Sequence, residues 1–350
     1  MVRTNLSEAT VQRGLRKVPP FPPIAARLLV LLSNESVAIT ELADLIGSDP
    51  TFSARLLHCV NSAAFGITSR VNNVQQALAL LGLDRTRQIT LTVATAAYTQ
   101  GALRSNELRR CWEHTVATAI IADEIAHVCG ILTDIAYTAG IMHDIGRLGL
   151  LVAYPQEYER IIRDAADQAL DILDFEREQF GMDHTEAGRI LAERWSLPEE
   201  FRLVAGRHHD PCEGGEVDLL HIVHVACRLA DALGYDVTHP LIPLEVDAVI
   251  SDLPARARER LRTAPQELQA RIEQRIRAYD GGGDEADSPP GPPVPVAVNQ
   301  EASPEEASFV LDVSPQLNLK GAPESSSLIV WIAIAVMAVL GIIAVLLLYT

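Results

Sequence analysis

Cysteine is scarce in this sequence of 350 residues, and its five copies form no pattern. They are odd in number, widely separated and never in CxxC spacing: Cys59, Cys111, Cys129, Cys212 and Cys227. A disulfide framework and a zinc finger both need cysteines at paired, regular spacings. The sequence therefore excludes both architectures and indicates reduced thiols in the cytosol.

Basic residues and an export signal are also lacking. The chain has 29 Lys and Arg residues against 46 Asp and Glu residues, which gives a net charge of −17. A nucleic-acid binder needs clustered cations to neutralise phosphates, so we expect no nucleic-acid partner. The N-terminal segment MVRTNLSEATVQRG has no apolar core of the kind that a secretory signal requires. We therefore expect the bulk of the chain to stay in the cytoplasm.

Residues 328–349 form an uninterrupted apolar run without a single charge. As a helix these 22 residues would span about 33 Å, enough for a hydrocarbon core of about 30 Å. A buried core helix would be shorter and would carry a polar face. We predict one C-terminal transmembrane helix, arranged as a tail anchor, that holds a cytoplasmic domain on the inner (cytoplasmic) membrane.

Residues 280–327, just before this run, are rich in Pro, Gly, Ser and acid. Nine acidic residues and one lysine give the segment a charge of −8, which leaves −9 of the net −17 for the rest of the chain. Such a composition buries little apolar surface, so we predict a disordered linker. Its acid would be repelled by an anionic inner leaflet, which would hold the domain away from the membrane surface.

The rest of the sequence predicts an all-α fold. Apolar residues recur at three-and-four spacing, and alternating β-branched runs are few. We divide this part into an N-terminal helical lobe over residues 1–105 and a second helical lobe over residues 106–279. The prolines of FPPIAARLLVLLSNES suit a helix start, and Asp49 followed by Pro50 suits the N-cap of the helix in TFSARLLHCV.

Further helix ends can be predicted from capping residues. Asn73 with Gln76 three residues later resembles a capping box, and Gly82 is placed to end the helix VQQALALL. Asp84 is placed to cap the helix that follows. The last predicted helix of the second lobe covers about residues 254–279 and alternates Arg and Glu with Leu and Ile, which is typical of a solvated face.

Histidine and aspartate residues of the second lobe form an ordered series of metal-ligand types. His143 and Asp144 are adjacent in AGIMHDIGRL and offer an imidazole and an anionic oxygen within one turn, which suits Fe, Mn, Zn or Mg. A carboxylate between two sets of imidazoles can bridge two metal ions that activate a water and clamp a phosphate. The candidate ligands, for one or two ions, are His114, His143, Asp144, His184, His208, His209 and Asp231.

Other histidines and other chemistries have weaker support. A single histidine in a helix is more often a core or surface residue than a ligand. His221 and His224 share an apolar helix face, but nothing else converges on them, and His58, His127 and His239 are isolated. Cysteine and serine nucleophile signatures and glycine-rich phosphate loops are absent.

The sequence resembles the HD superfamily of metal-dependent phosphohydrolases, and more closely its HDOD branch. The resemblance rests on PPFPPIAARLLVLLS, ELADLIGSDPTFSARLLHCVNSAAFG and VNNVQQALALLGLDRTRQI, followed by WEHT, AGIMHDIGRL and HTEAGRILAERWSLPEEF. It covers roughly residues 14–236. The resemblance implies an all-α fold in which a small N-terminal lobe packs on an HD-like lobe. It also implies a role in signal output, often without catalysis.

The resemblance also bears on each ligand position. Six residues match metal-site positions of the superfamily: His114, His143, Asp144, His184, His208 and His209. At the last position relatives carry an aspartate where this sequence has Cys227, while Asp231 lies one turn later on the same helical face. Asp231 can still reach the site from there, and a cysteine ligand would favour zinc, so both alternatives stay open.

Cyclic-dinucleotide hydrolysis is not expected. The HD-GYP branch carries a Gly-Tyr-Pro signature after its histidine pair, where this chain reads HHDPCEGGEV. Arg147 also replaces the lysine that commonly follows HDIG in that branch. We predict a membrane-tethered signalling module that binds protein partners or a ligand, with a nucleotide as one candidate. The alternative is a metal-dependent phosphohydrolase that acts on a nucleotide or another phosphoester.

Overall fold

The computed structural model describes residues 6–18, 24, 27, 39–133, 135–168, 171–210, 217–238, 244–263 and 265–280. Nearly all of the helix predicted in FPPIAARLLVLLSNES, the linker from residue 281 onward and the apolar run 328–349 lie outside these residues, as do Cys212 and His239. The described segments contain helices and turns but no β-strand, so the predicted all-α fold is confirmed. None of the helices in this described part is both long and apolar enough to cross a bilayer.

The helices that precede residue 105 are α1 (Glu8–Lys17), α2 (Ile39–Gly47), α3 (Pro50–Val60), α4 (Val74–Leu81) and α5 (Leu83–Thr99), with a 3₁₀ turn at Ala63–Phe65. Those that follow are α6 (Asn106–Cys129), α7 (Ala136–Met142), α8 (Ile145–Ala153), α9 (Pro155–Gln168), α10 (Ile172–Phe180), α11 (His184–Arg194), α12 (Glu199–Arg207), α13 (Leu219–Ala232), α14 (Val246–Val249), α15 (Ala255–Thr263) and α16 (Pro265–Tyr279).

Three of the predicted helix ends are confirmed. The Asp49 side chain caps the N-terminus of α3. Asn73 accepts a hydrogen bond from the backbone N–H of Gln76 at 2.7 Å. The Gln76 side chain accepts from the N–H of Asn72 at 2.9 Å rather than from that of Asn73. Gly82 ends α4 with φ of 80°, a conformation that glycine adopts without steric cost.

Two of the predicted helix ends are wrong. Helix α5 begins at Leu83, so Asp84 lies inside its first turn and does not cap it. An acidic side chain there still faces the positive end of the helix dipole. The single helix predicted over residues 254–279 is two helices, because Pro265 lacks a backbone N–H and begins α16 instead of continuing α15.

Helix α6 lies at the centre of the fold. Its side chains are buried along most of its length, and it contacts α7, α9, α13, α15 and α16. Leu56 of α3 and Trp112 of α6 belong to the same hydrophobic core, so helices on both sides of residue 105 share it. Residues 1–288 form one compact unit, and the division into two lobes at residue 105 stays a prediction.

Two glycines let the helices that carry the histidines approach closely. Gly146 of α8 faces α11, and a Cβ at this position would overlap the carbonyl oxygen of His184 and the backbone of Gly188. A Cβ on Gly188 would in turn lie 2.7 Å from the carbonyl oxygen of Ala205 in α12. Only glycine permits backbones to come this near. Helices α8, α11 and α12 are thereby held together where their polar side chains meet.

Candidate metal centre

Six helices or their ends contribute to one buried cluster of histidine, aspartate and cysteine side chains. His114 lies on α6, the pair His143 and Asp144 forms the junction between α7 and α8, and His184 begins α11. His208 and His209 directly follow the end of α12. Helix α13 brings two residues to the neighbourhood of His114, namely Cys227 and Asp231.

The cluster contains three buried polar atoms without a hydrogen-bond partner. They are His143 Nε2, Asp144 Oδ1 and His208 Nε2. His143 Nδ1 lies 2.6 Å from the carbonyl oxygen of Gly140, and His208 Nδ1 lies 3.1 Å from that of Val204. Because a carbonyl can only accept, each Nδ1 carries the proton and each Nε2 presents its lone pair to the centre. Two lone pairs and one carboxylate oxygen therefore converge.

His184 and His209 extend this set on the same side of Asp144. His184 Nε2 lies 3.3 Å from Asp144 Oδ1 and 3.1 Å from His209 Nε2, and His208 Nε2 lies 3.5 Å from Asp144 Oδ1. Two ligands that each bind an ion at about 2.1 Å stand about 3.0 to 3.4 Å apart in octahedral or tetrahedral geometry. The separations of 3.1 and 3.3 Å fall within this range and that of 3.5 Å lies just above it, so the cluster could hold a metal ion.

His114 and Cys227 face the other side of the same carboxylate. His114 Nε2 lies 3.5 Å from Cys227 Sγ and 4.0 Å from Asp144 Oδ2. Asp231 instead lies behind the ring of His114, where its Oδ1 is 3.2 Å from Nδ1. The carbonyl oxygen of Tyr235 is 3.0 Å from the same Nδ1. Of the two residues that sequence left open, Cys227 points into the cluster, and Asp231 orients the His114 ring from outside it.

Burial and neighbouring charge set the protonation of the centre. Burial lowers the pKa of His143, His208 and His209, in the first and last cases well below the ordinary 6.5. These imidazoles are therefore neutral at pH 7, as metal ligands must be. Burial alone would raise the pKa of Asp144, but the Arg147 guanidinium and the adjacent imidazoles hold it well below its ordinary value.

Glu176 is a residue of the site that sequence reasoning missed. Its Oε2 is 2.7 Å from His184 Nδ1 and accepts the His184 backbone N–H at 2.8 Å, while Oε1 accepts from the Tyr158 hydroxyl. A usable signal existed in α10, where Glu176 stands four residues from both Ile172 and Phe180 on the buried face. A carboxylate on an apolar helix face needs a polar partner, and here the partner is His184, one of the candidate ligands.

The four histidines outside the predicted ligand set that the structure describes do not enter the cluster. His58 and His127 are exposed, and the backbone N–H of His221 donates to the capping side chain of Asp218. His224 Nδ1 lies 2.8 Å from the carbonyl oxygen of His208 and so supports the segment that carries the histidine pair.

Residues 18–211 match the HDOD domain family. The chain belongs to this family. An uncharacterised protein of Treponema pallidum is 25 % identical over 277 residues, which is 77 % of this chain and 53 % of the relative. The HDOD chain thus spans about half the length of that curated relative.

Solved structures share the HDOD fold at lower sequence identity. An HDOD domain protein of unknown function from Geobacter sulfurreducens superposes with a TM-score of 0.65 at 23 % identity, over 77 % of this chain and 96 % of that one. A candidate phosphohydrolase from Shewanella amazonensis gives 0.57 at 21 %, over 77 % and 96 %. A candidate signal transduction protein from Marinobacter aquaeolei gives 0.58 at 20 %, over 77 % and 59 %. These similarities establish the fold.

Proposed function

We propose that this HDOD chain is a signalling module that acts by binding partners, and that its buried centre holds a divalent transition metal. The supporting observation is the convergence of His143 Nε2, Asp144 Oδ1 and His208 Nε2, which have no hydrogen-bond partner. A buried polar atom without a partner costs about 1–3 kcal/mol. A bound ion would offset this cost and would join the junction between α7 and α8 to the end of α12 through these side chains. Imidazole and carboxylate donors suit Fe, Mn or Zn better than Mg.

The burial of the centre favours signalling over hydrolysis. His143, Asp144 and His184 are fully buried, and His114 and His208 are at most 2 % exposed. A hydrolytic metal site keeps one coordination position open to water and substrate. In the alternative function, as a phosphohydrolase, a bound metal would supply an activated water, and the phosphoester would have to enter beside His209, which is only partly buried.

The metal can be tested on purified full-length protein prepared under metal-replete, low-oxygen conditions. We expect stoichiometric transition metal, and a chelator should lower the melting temperature. Asp144→Ala should remove the metal and lower the free energy of unfolding by about 3–5 kcal/mol, because it leaves the Arg147 guanidinium buried without its carboxylate. Asp174→Ala, which removes a carboxylate 76 % exposed on α10, is the matched control.

The proposed metal centre would be contradicted if wild-type protein contained no metal and if the chelator did not change its melting temperature. The signalling role is tested separately on the same preparation. We expect no hydrolysis of nucleotides, phosphomonoesters or phosphodiesters at full metal loading. Turnover that disappears with Asp144→Ala would replace this proposal by the phosphohydrolase alternative.

The proposal also includes a location and partners. Residues 328–349 would anchor the module in the inner membrane, and the acidic linker from residue 281 would hold it in the cytoplasm at a distance from the lipid. Protein partners of a signalling pathway would bind the helical domain, and a nucleotide is a candidate ligand. The excess of acid over base supports partners other than nucleic acid.

A further inference from the structure

The guanidinium of Arg147 lies inside the histidine centre rather than at its edge. The residue is 3 % exposed. Its Nε donates to Asp144 Oδ2 at 2.7 Å, and its Nη2 lies 3.1 Å from His184 Nε2. A centre with two ions bridged by Asp144 would need both of these acceptor atoms as metal ligands.

The hydrogen bonds of His184 assign its Nε2 to the arginine. His184 Nδ1 gives its proton to Glu176 Oε2 at 2.7 Å, so Nε2 carries the lone pair. Arginine has only donors, and its Nη2 points an N–H at this lone pair. One lone pair cannot bind an ion and accept from Arg147 at the same time. Asp144 Oδ2 has a second lone pair besides the one that accepts from Arg147 Nε, so at this atom the exclusion of an ion rests on charge.

The positive charge of Arg147 also opposes the binding of a second metal ion. The guanidinium keeps its positive charge at every pH that the fold tolerates. A dication bound by Asp144 Oδ2 and His184 Nε2 would stand next to that charge in a buried site, where water screens little. Asp144 is the only carboxylate that the described residues bring to this point of the cluster.

The atoms that Arg147 does not contact fit one ion, because the other two possible ligand groups, His114–His143–Cys227 and His184–His208–His209, share His143 or His208 with the group His143–Asp144–His208. His143 Nε2, Asp144 Oδ1 and His208 Nε2 have no hydrogen-bond partner, and these three residues place their donor atoms within 4.8 Å of one another. Two imidazoles and one carboxylate form a common set for a single divalent transition metal. The two oxygens of Asp144 thus have different contacts: Oδ1 faces the ligand histidines, and Oδ2 accepts a hydrogen bond from Arg147.

We propose that Arg147 takes the place of a second metal ion, so that this centre binds a single ion through His143, Asp144 and His208. This inference rests on the proposed metal centre. Arg147 acts as a positioning residue and limits the stoichiometry, since its guanidinium supplies one of the positive charges that Asp144 would otherwise take from an ion.

The test uses full-length protein loaded with Mn²⁺, with metal analysis and electron paramagnetic resonance as readouts. Wild type should bind one ion per chain and give the spectrum of an isolated Mn²⁺. Arg147→Met removes the charge at similar length and frees Oδ2 and His184 Nε2, so it should bind two ions whose spectrum shows spin coupling. Arg147→Lys keeps the charge and should bind one. Arg189→Met, on the exposed face of α11, is the matched control and should also bind one.

The outcomes separate this inference from the metal proposal. Two coupled ions in wild type, or a folded Arg147→Met protein that still binds one uncoupled ion, would overturn the role of Arg147 and leave the metal centre standing. No ion in wild type would overturn the metal centre itself. If Arg147→Met fails to fold, the metal content of wild type and of Arg147→Lys tests the inference. One isolated ion in each of these two proteins supports it, and two ions in either protein reject it.

Discussion

Glu176 places a buried negative charge behind His184, a histidine of the cluster. It is fully buried, and burial alone would raise its pKa, yet His184 and Arg147 lower the pKa below the ordinary 4.5. The carboxylate therefore stays ionised and accepts the Nδ1 proton of His184. This bond fixes the ring and keeps the Nε2 lone pair on the side of the cluster.

Replacing Glu176 with Gln should weaken both the fold and the metal centre. The amide keeps the size of the side chain but loses a charge-assisted hydrogen bond, which we expect to cost about 2–3 kcal/mol of unfolding free energy. Metal affinity should fall by less than the about 10- to 100-fold expected for a group that orients a metal ligand directly, because Glu176 acts on the ion only through His184, Arg147 and Asp144. Denaturant unfolding and metal titration measure the two effects. Glu186→Gln, on the exposed face of α11, is the control, and equal affinity in both variants would show that Glu176 only supports packing.

At the residue scale, the order of histidines along the chain was enough to predict which side chains meet. His114, His143 and Asp144 do lie together with the later histidines. The sequence did not resolve Cys227 from Asp231, because a spacing of four residues places both on one helical face. Which of them points inward depends on how α13 packs against His114, and that is a tertiary property.

At the element scale, α8 and α11 lie too close together to leave room for one added methyl group at Gly146. Gly146→Ala would drive a Cβ into the backbone of His184 and Gly188, and backbone cannot move aside as a side chain can. We expect a loss of about 1–3 kcal/mol in unfolding free energy and a lower metal content. Gly47→Ala is the control, since nothing lies within 4 Å of its added Cβ. Equal stability of the two variants would contradict the packing argument.

The last two described helices, α15 and α16, each form an ion pair with the same carboxylate of α6. Glu124 accepts from Arg260 Nε of α15 at 2.9 Å and from Arg271 Nη2 of α16 at 2.7 Å. Burial would raise the pKa of Glu124, but the two guanidinium groups lower it below 4.5. Since the folded-state pKa is lower than the unfolded one, this contribution to stability is complete above pH 4.5. It is lost as the pH falls from 4.5 through the folded-state value.

Glu124→Gln should therefore destabilise the protein by about 1–2 kcal/mol at pH 7, a modest value because the pair is partly screened by solvent. The difference from wild type should stay constant down to pH 4.5 and shrink at lower pH. Denaturant unfolding at several pH values provides the measurement. Glu267→Gln removes a carboxylate that also contacts Arg260 but is 70 % exposed, and it should change stability by less than about 0.5 kcal/mol. A difference that does not depend on pH would rule out the ion pairs as its source.

Helix boundaries were predictable where a capping side chain or a glycine next to the boundary ends the helix. Asp49 and Gly82 act through the backbone groups next to them, so their short-range patterns sufficed. Asp84 misled because the helix already begins at Leu83 after Gly82, and the break at Pro265 was a local signal that the single predicted helix did not take into account. The glycine contacts between α8 and α11 join residues far apart in sequence, and no periodicity reveals them.

At the scale of the whole molecule, charge is distributed unevenly along the chain. The segment 280–327 carries −8 of the net −17, and the apolar run 328–349 carries none. An acidic segment is repelled by an anionic lipid surface, whereas an apolar run of this length enters the bilayer core. The two adjoining segments should therefore act in opposite ways, one as the anchor and the other as a spacer.

Membrane attachment should consequently depend on the apolar run and not on salt. We expect the full-length chain to stay with membranes after washing at high ionic strength, because screening weakens charge contacts but leaves apolar insertion intact. Residues 1–327 expressed alone keep the linker and should be released. Arginine at both Val336 and Ala338 should release the full-length chain too, at about 2.5–3.5 kcal/mol for each charge near the bilayer centre. Fractionation and immunoblotting measure the membrane-bound share of the full-length chain, of residues 1–327 and of the double arginine variant. Retention of the 1–327 chain would place the attachment in the helical domain or the linker instead.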